Sequence, residues 1–266
     1  MKILKEYYYS SIFEGDLGTE ETNFALRSWL NDKTGGLVDK LSDIELDPTT
    51  IMTLASTIYF NAKWDSEFAE SKTKPDTFHS PVGDIECDFM NKKTYMDYYW
   101  GEKFSAVYKN LENSGSMWFI LPDEGVSIDT LLSDEQMMSF LFANKYTWKN
   151  SKFLEVTFSV PKFDVQSDMD LSEGLKNLGI TDCFDTKNSN FSPVTDETMA
   201  ISKVQHGAGV KIDEKGIIAS AFTLMPTLGS TEPSGDKIDF ILDRPFIFVI
   251  TGSDGLPLFV GIVNQP

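Results

Sequence analysis

Apolar residues in this chain recur with two periods. A two-residue period, or a short unbroken apolar run, marks most of its length. Residues 51–60 (Ile-Met-Thr-Leu-Ala-Ser-Thr-Ile-Tyr-Phe) are apolar on both faces, the pattern of a strand inside a covered sheet. Phe153, Val156, Phe158 and Val160 mark a strand over 153–163. Further strands are predicted over 5–13, 104–108, 117–121, 204–212, 240–251 and 258–263. Residues 78–90 and 94–100 read as paired strands, with turns at Pro81-Val82-Gly83 and Asn91-Lys92-Lys93. The helical period is rarer. Phe24, Leu26, Trp29 and Leu30 follow a start at Thr19 and precede a stop at Gly35-Gly36. Helices are also predicted over 128–142, capped near Ser127 or Asp129, and over 167–178, with Gly179 at the C-cap. Strands and helices are grouped rather than alternating, which predicts an α+β fold with antiparallel or mixed sheets. No internal repeat or linker divides residues 1–266, so they are read as one domain.

One stretch fits neither period. Between strands 204–212 and 240–251 lie a charged turn, Asp213-Glu214-Lys215-Gly216, a run of mostly small residues from Ile217 to Thr223, and a Gly/Ser/Thr/Pro loop to Asp236. Connections of this length in compact domains are functional or disordered. Drawn out as a strand, Ile217, Ala219, Ala221 and Thr223 share one face, and Ile218, Ser220 and Phe222 the other. Alanine and serine are poor strand formers in an ordinary sheet. On an inward face, however, small residues let a strand slide between two others without overpacking. Gly216 is free to act as a hinge. On the residues alone, a plain surface loop with a small-residue run is the favoured reading.

Composition narrows the function classes. At 41% apolar the chain can bury a sizeable core, and its net charge of −18 repels a phosphate backbone. Nucleic acid is therefore not an expected partner. No apolar run approaches the ~20 residues of a membrane helix, so no membrane partner is expected. Cys87 and Cys183 do not make a disulfide framework and read as separate thiols. A Ser-His-Asp triad would need His79, in a strand–turn context, or His206, inside a strand. There is no Gly-x-Ser-x-Gly elbow, no His-x-x-x-His and no Cys-x-x-Cys. The residues carry no enzyme signal, and no metal or cofactor is expected.

Several motifs, in order, resemble the serpins. Ile58-Tyr59-Phe60-Asn61-Ala62-Lys63-Trp64 is similar to that family's central strand and the tryptophan ending it. Val160-Pro161-Lys162-Phe163 and Leu178-Gly179-Ile180 follow. Glu214-Lys215-Gly216 with its small-residue run resembles the hinge. Asp243-Arg244-Pro245-Phe246-Ile247-Phe248 resembles the signature after the reactive loop, and Pro257-Leu258-Phe259-Val260-Gly261 the C-terminal strand pair. The similarity runs from about Lys5 to Pro266.

The resemblance implies a serpin fold and a suicide inhibitor. A serine protease cleaves the loop, forms an acyl-enzyme, and is carried across the molecule as the loop inserts into the main sheet. Extended, residues 216–230 reach roughly 45–50 Å at ~3.3 Å per residue. By resemblance the hinge is Glu214, Gly216, Ile217, Ala219, Ser220, Ala221 and Thr223. Trp64, Lys162 and Glu214 mark where the loop first enters the sheet, with Lys162 and Glu214 as an ion pair. Ser56 and His206 lie where the sheet's middle is latched, and Ser56 stands where the family usually has Asn. Ile217 stands where most inhibitory members have Thr or Ser. Family spacing puts the scissile bond at Ser230-Thr231 counting forward, or near Ser234-Gly235 counting back. No Lys or Arg lies between Leu224 and Gly235, which disfavours a trypsin-like target and leaves elastase-, chymotrypsin- or subtilisin-like ones. The expected setting is extracellular. The resemblance also implies roughly a further third of chain before residue 5. The present residues alone are then expected to be unstable, or to need that N-terminal segment as a partner. The alternative is a serpin-fold binding protein, or an inactive truncated serpin.

Overall fold

The computed structural model describes residues 6–7, 10–33, 45–46, 52–58, 60, 62–112, 115–142, 148–193, 196, 198–217 and 235–266. Its strands are β1 (Thr53–Ile58), β2 (Ala62–Lys63), β3 (Lys74–Ser80), β4 (Gly83–Trp100), β5 (Phe104–Leu111), β6 (Gly115–Pro122), β7 (Ser151–Pro161), β8 (Phe163–Asp170), β9 (Lys203–Ile212), β10 (Gly216–Ile217), β11 (Lys237–Ile241), β12 (Phe246–Thr251) and β13 (Pro257–Val263). Its helices are α1 (Glu20–Lys33), α2 (Ile128–Leu132), α3 (Glu135–Phe142) and α4 (Ser172–Asn177). This is the α+β class that the patterning predicts. The chain forms two compact units, Met1–Tyr59 with Gln166–Gly209, and Phe60–Val165 with Val210–Pro266.

In the first unit α1 starts where the pattern places it. The Thr19 hydroxyl accepts the Thr22 N–H at 3.3 Å, and Glu20 and Glu21 occupy the positive end of the helix. Leu30 is the buried centre of a small cluster with Leu26, Trp29 and Ala55. β1 lies parallel to β9 in a sheet ordered β1-β9-β8.

The second unit is built on a mixed sheet ordered β11-β7-β4-β5-β6-β12-β13, with β3 paired to β4. Alternation gives it two apolar faces. On one, Tyr99, Phe104, Ala106, Trp118, Ile120, Ile247 and Val249 pack against Leu131, Met137, Phe140 and Leu141 of α2 and α3. On the other a line of rings runs from Trp64 through Phe68, Phe158, Phe119, Phe246 and Phe163 to Phe248. Ring pairs at these spacings add to the burial of their area.

Several expectations are corrected. Over 5–13, Glu6 and Tyr7 are helical and 10–14 irregular, because strand-forming Tyr and Ile need a partner strand. β1 is not covered on both faces: Leu54 is 47% exposed and Ser56 is exposed. No turn forms at Asn91-Lys92-Lys93. These residues pair with Ser159, Phe158 and Thr157 of β7, and the ladder overrides their turn propensity. The helix over 128–142 is two, because the Asp134 carboxylate accepts the N–H groups of Gln136 and Met137, both at 3.0 Å, and starts α3 afresh. The first cap is Ser127, not Asp129. Over 167–178 most of the first half is strand β8. The Asp170 carboxylate then accepts the Ser172 N–H at 2.9 Å, where α4 begins. The run 240–251 is broken before Pro245, which has no N–H for a ladder.

Candidate functional site

The charged turn is built by its own aspartate. The Asp213 carboxylate accepts the N–H groups of Lys215 at 2.8 Å and Gly216 at 3.1 Å, and the Asp213 N–H donates to the Gly216 carbonyl at 2.9 Å. A short carboxylate folds its neighbouring backbone in this way. The three carbonyls left pointing out of the turn are all taken by one segment, 64–68. The Trp64 indole N–H donates to Asp213 at 2.9 Å, the Trp64 N–H to Lys215 at 3.0 Å, and the Phe68 N–H to Glu214 at 2.9 Å.

Glu214 turns inward. Its carboxylate is 3.3 Å from the Lys162 ammonium and accepts the Thr73 hydroxyl at 2.8 Å. Burial raises its carboxyl pKa, but Thr73, the backbone and Lys162 outweigh burial and hold it below the usual value. Lys162 is placed by the β7–β8 junction, where its own N–H donates to the Asp88 carbonyl at 2.8 Å.

After the turn the chain reverses and pairs antiparallel with β2, Gly216 against Lys63 and Ile217 against Ala62. Only glycine fits the first place. Its φ is +152°, and a Cβ there would lie 2.5 Å from both the Ala62 carbonyl oxygen and the Lys63 Cα. Ile217 is 1% exposed, so its branched side chain is buried where it pairs with β2.

Beneath the 64–68 segment is a lysine pair that the motifs do not reveal. Lys109, on β5, donates to the Ser66 carbonyl, lies 3.9 Å from Asp65, and sits 5.4 and 5.1 Å from the ring centres of Trp64 and Phe68. Burial pushes its ammonium down to about 7, and the charge of Lys92 adds to the shift. Alternation does flag Lys109, because it shares the inward face of β5 with Val107 and Leu111. Thr73 and Phe68 carry no comparable signal, since they lie in irregular chain between β2 and β3.

Elsewhere, in the first unit, Ser56 and His206 are register partners across β1 and β9. His206 is half-buried within its strand. Ala219, Ser220, Ala221, Thr223, Ser230, Thr231 and Ser234 lie outside the described residues, and Gly235 is an exposed residue just before β11. Cys87 and Cys183 are free thiols, and burial pushes the Cys87 thiol up to about 11.

The turn is thus clasped by a tryptophan, and glycine alone fits at its exit. The family model Serpin, serine protease inhibitor, matches residues 1–266. This chain belongs to the serpin family. The plasma serine protease inhibitor of Mus musculus is 29% identical over 100% of the chain and 65% of its own length. The native-state crystal structure of tengpin, a thermophilic serpin, superposes with a TM-score of 0.81 at 28% identity, over 100% of this chain and 68% of that one. Human thyroxine-binding globulin complexed with thyroxine shares the fold, with a TM-score of 0.82 at 24% identity over 100% of this chain and 70% of that one. The chain spans between 62% and 67% of the length of the first curated relatives it matches. The family is described as serine protease inhibitors, and thyroxine-binding globulin has the same fold.

Proposed function

We propose that this serpin is a suicide-type inhibitor of a serine endopeptidase, acting by cleavage of the loop after Ile217 and its insertion as a strand. What supports the reading most is the hinge. Gly216 is wedged against β2 by a turn whose outward carbonyls are all held by 64–68, so the loop leaves from a fixed point. The bait bond is proposed at Ser230-Thr231 or Ser234-Gly235. The absence of Lys and Arg between Leu224 and Gly235 points to elastase-, chymotrypsin- or subtilisin-like targets. Ser56 and His206 are proposed as the latch of the sheet that receives the loop. An extracellular setting, a covalent acyl complex and an N-terminal serpin segment as partner belong to the same proposal.

One observation favours a second reading, a serpin-fold binding protein. Ile217 is buried and strand-paired before any cleavage, so insertion must first extract a branched apolar side chain. The two separate on incubation with a panel of elastase-, chymotrypsin- and subtilisin-type proteases. An SDS-resistant complex is expected for the inhibitor. Loop cleavage with no complex and no gain in thermal stability gives the second reading.

A further inference from the structure

The 64–68 segment is held from two sides. On one side it grips the three carbonyls of the turn Asp213-Glu214-Lys215. On the other, two lysines reach it from the large sheet. Lys109 donates to the Ser66 carbonyl; Lys92, on β4, donates to the same carbonyl at 3.2 Å, to the Ser66 hydroxyl, and to the Glu67 carbonyl at 3.3 Å. Lys109 is only 7% exposed, and its ammonium faces the rings of Trp64 and Phe68, the two residues whose N–H groups hold the turn. The charged groups facing Lys109 are Asp65 on the segment itself and Lys92 on β4; Lys72, from the short turn Glu70–Lys72, faces Lys92 in addition.

We propose that this lysine pair makes the grip on the hinge proton-dependent: with Lys109 neutral the 64–68 segment closes on the turn, and with Lys109 charged it loosens. The proposal rests on reading Gly216 as the loop's hinge. The physical reason is local. Desolvation and the facing Lys92 ammonium work against the charged form, and they outweigh the Asp65 carboxylate, which favours it as the faces of the two rings also do. The charge therefore gains by reaching water, which it reaches only if the segment above it lifts. A neutral amine can still donate to Ser66, and its stem packs where it lies. Burial holds Lys109 near 7, below the ordinary lysine value of 10.5. The closed state therefore binds fewer protons than the lifted one. The grip strengthens as pH rises from about 7 toward the ordinary lysine value, and is weakest below about 7.

Hydrogen exchange at the Trp64 and Phe68 amides of the whole chain, corrected for intrinsic rate, tests this. Protection is expected to rise by up to about tenfold per pH unit between about pH 7 and about pH 9. Lys109→Met, which has no proton to gain, is expected to show protection that does not change with pH, and Lys109→Arg low protection throughout. Protection independent of pH in the unsubstituted protein, or the same pH profile in all three, overturns the proposal. If a variant does not fold, an NMR titration of the Lys109 side chain in the unsubstituted chain decides: a midpoint at the ordinary lysine value overturns it, and one near 7 supports it. No protease enters the experiment. A serpin that fails to trap proteases can therefore still show the pH profile, and one that traps them without it overturns only the clasp.

Discussion

At the scale of single residues, the turn over 213–216 depends on one missing Cβ and one ion pair. Gly216→Ala places a methyl group 2.5 Å from backbone atoms of Ala62 and Lys63 at a φ that L-residues avoid. The expected loss is about 1–3 kcal/mol, read as a lower urea midpoint with unchanged slope. Glu214 sets an acid limit. A carboxyl held below its ordinary value of 4.5 stabilises the fold above that value, and the contribution is lost as pH falls through the lowered folded value. Glu214→Gln is expected to flatten the fall in melting temperature between about pH 5 and about pH 3. If both proteins lose stability in parallel there, the Lys162 and Thr73 contacts do not hold the charge. Much of this residue-level picture is legible in the chain. The family resemblance singles out Gly216, Glu214, Lys162 and Trp64, and they meet in one cluster. Thr73 and Phe68 do not stand out, because nothing local in the sequence tells an irregular segment which distant turn it will hold.

At the scale of elements, caps and close approaches decide where strands and helices stop. The Ser127 hydroxyl accepts the Thr130 N–H at 3.1 Å at the head of α2. Ser127→Ala is expected to cost about 1 kcal/mol, measured by equilibrium denaturation. On β13, a Cβ at Gly261 would lie 2.3 Å from the Phe248 ring, which is itself stacked on Phe163 with centres 5.5 Å apart. Gly261→Ala is expected to destabilise by about 1–3 kcal/mol through overpacking. A neutral result would mean that the β12–β13 pair can shift. The same scale explains the misread elements. Asn91-Lys92-Lys93 has turn composition, yet eleven successive residue pairs join β4 to β7 through it, and no local rule contains that ladder.

At the scale of the whole molecule, charge and topology act together. A net charge of −18 is self-repulsion that the compact state must overcome. The melting temperature is expected to rise from low to moderate sodium chloride, and calorimetry showing no rise would mean that the local pairs, such as Lys93 and Lys237 on Glu155, already neutralise the surface. Topology is mixed where sequence suggests it: β11 runs parallel to β7 in a sheet whose other pairings, among the described residues, are antiparallel.

Two things were already carried by the sequence, the class of fold and the family. The class of fold follows from a short-range rule, alternation along strands, and the family from the resemblance of several motifs in order. The tertiary structure alone decided that Ile217 is buried against Ala62, that α2 and α3 separate at Asp134, and that Lys109 lies under the segment gripping the turn. Each of these depends on groups brought close by the folded backbone, through ladder registry, capping geometry or desolvation. A buried charge in particular has no signature beyond its parity on a strand, because what perturbs it is the set of neighbours that the sheet assembles.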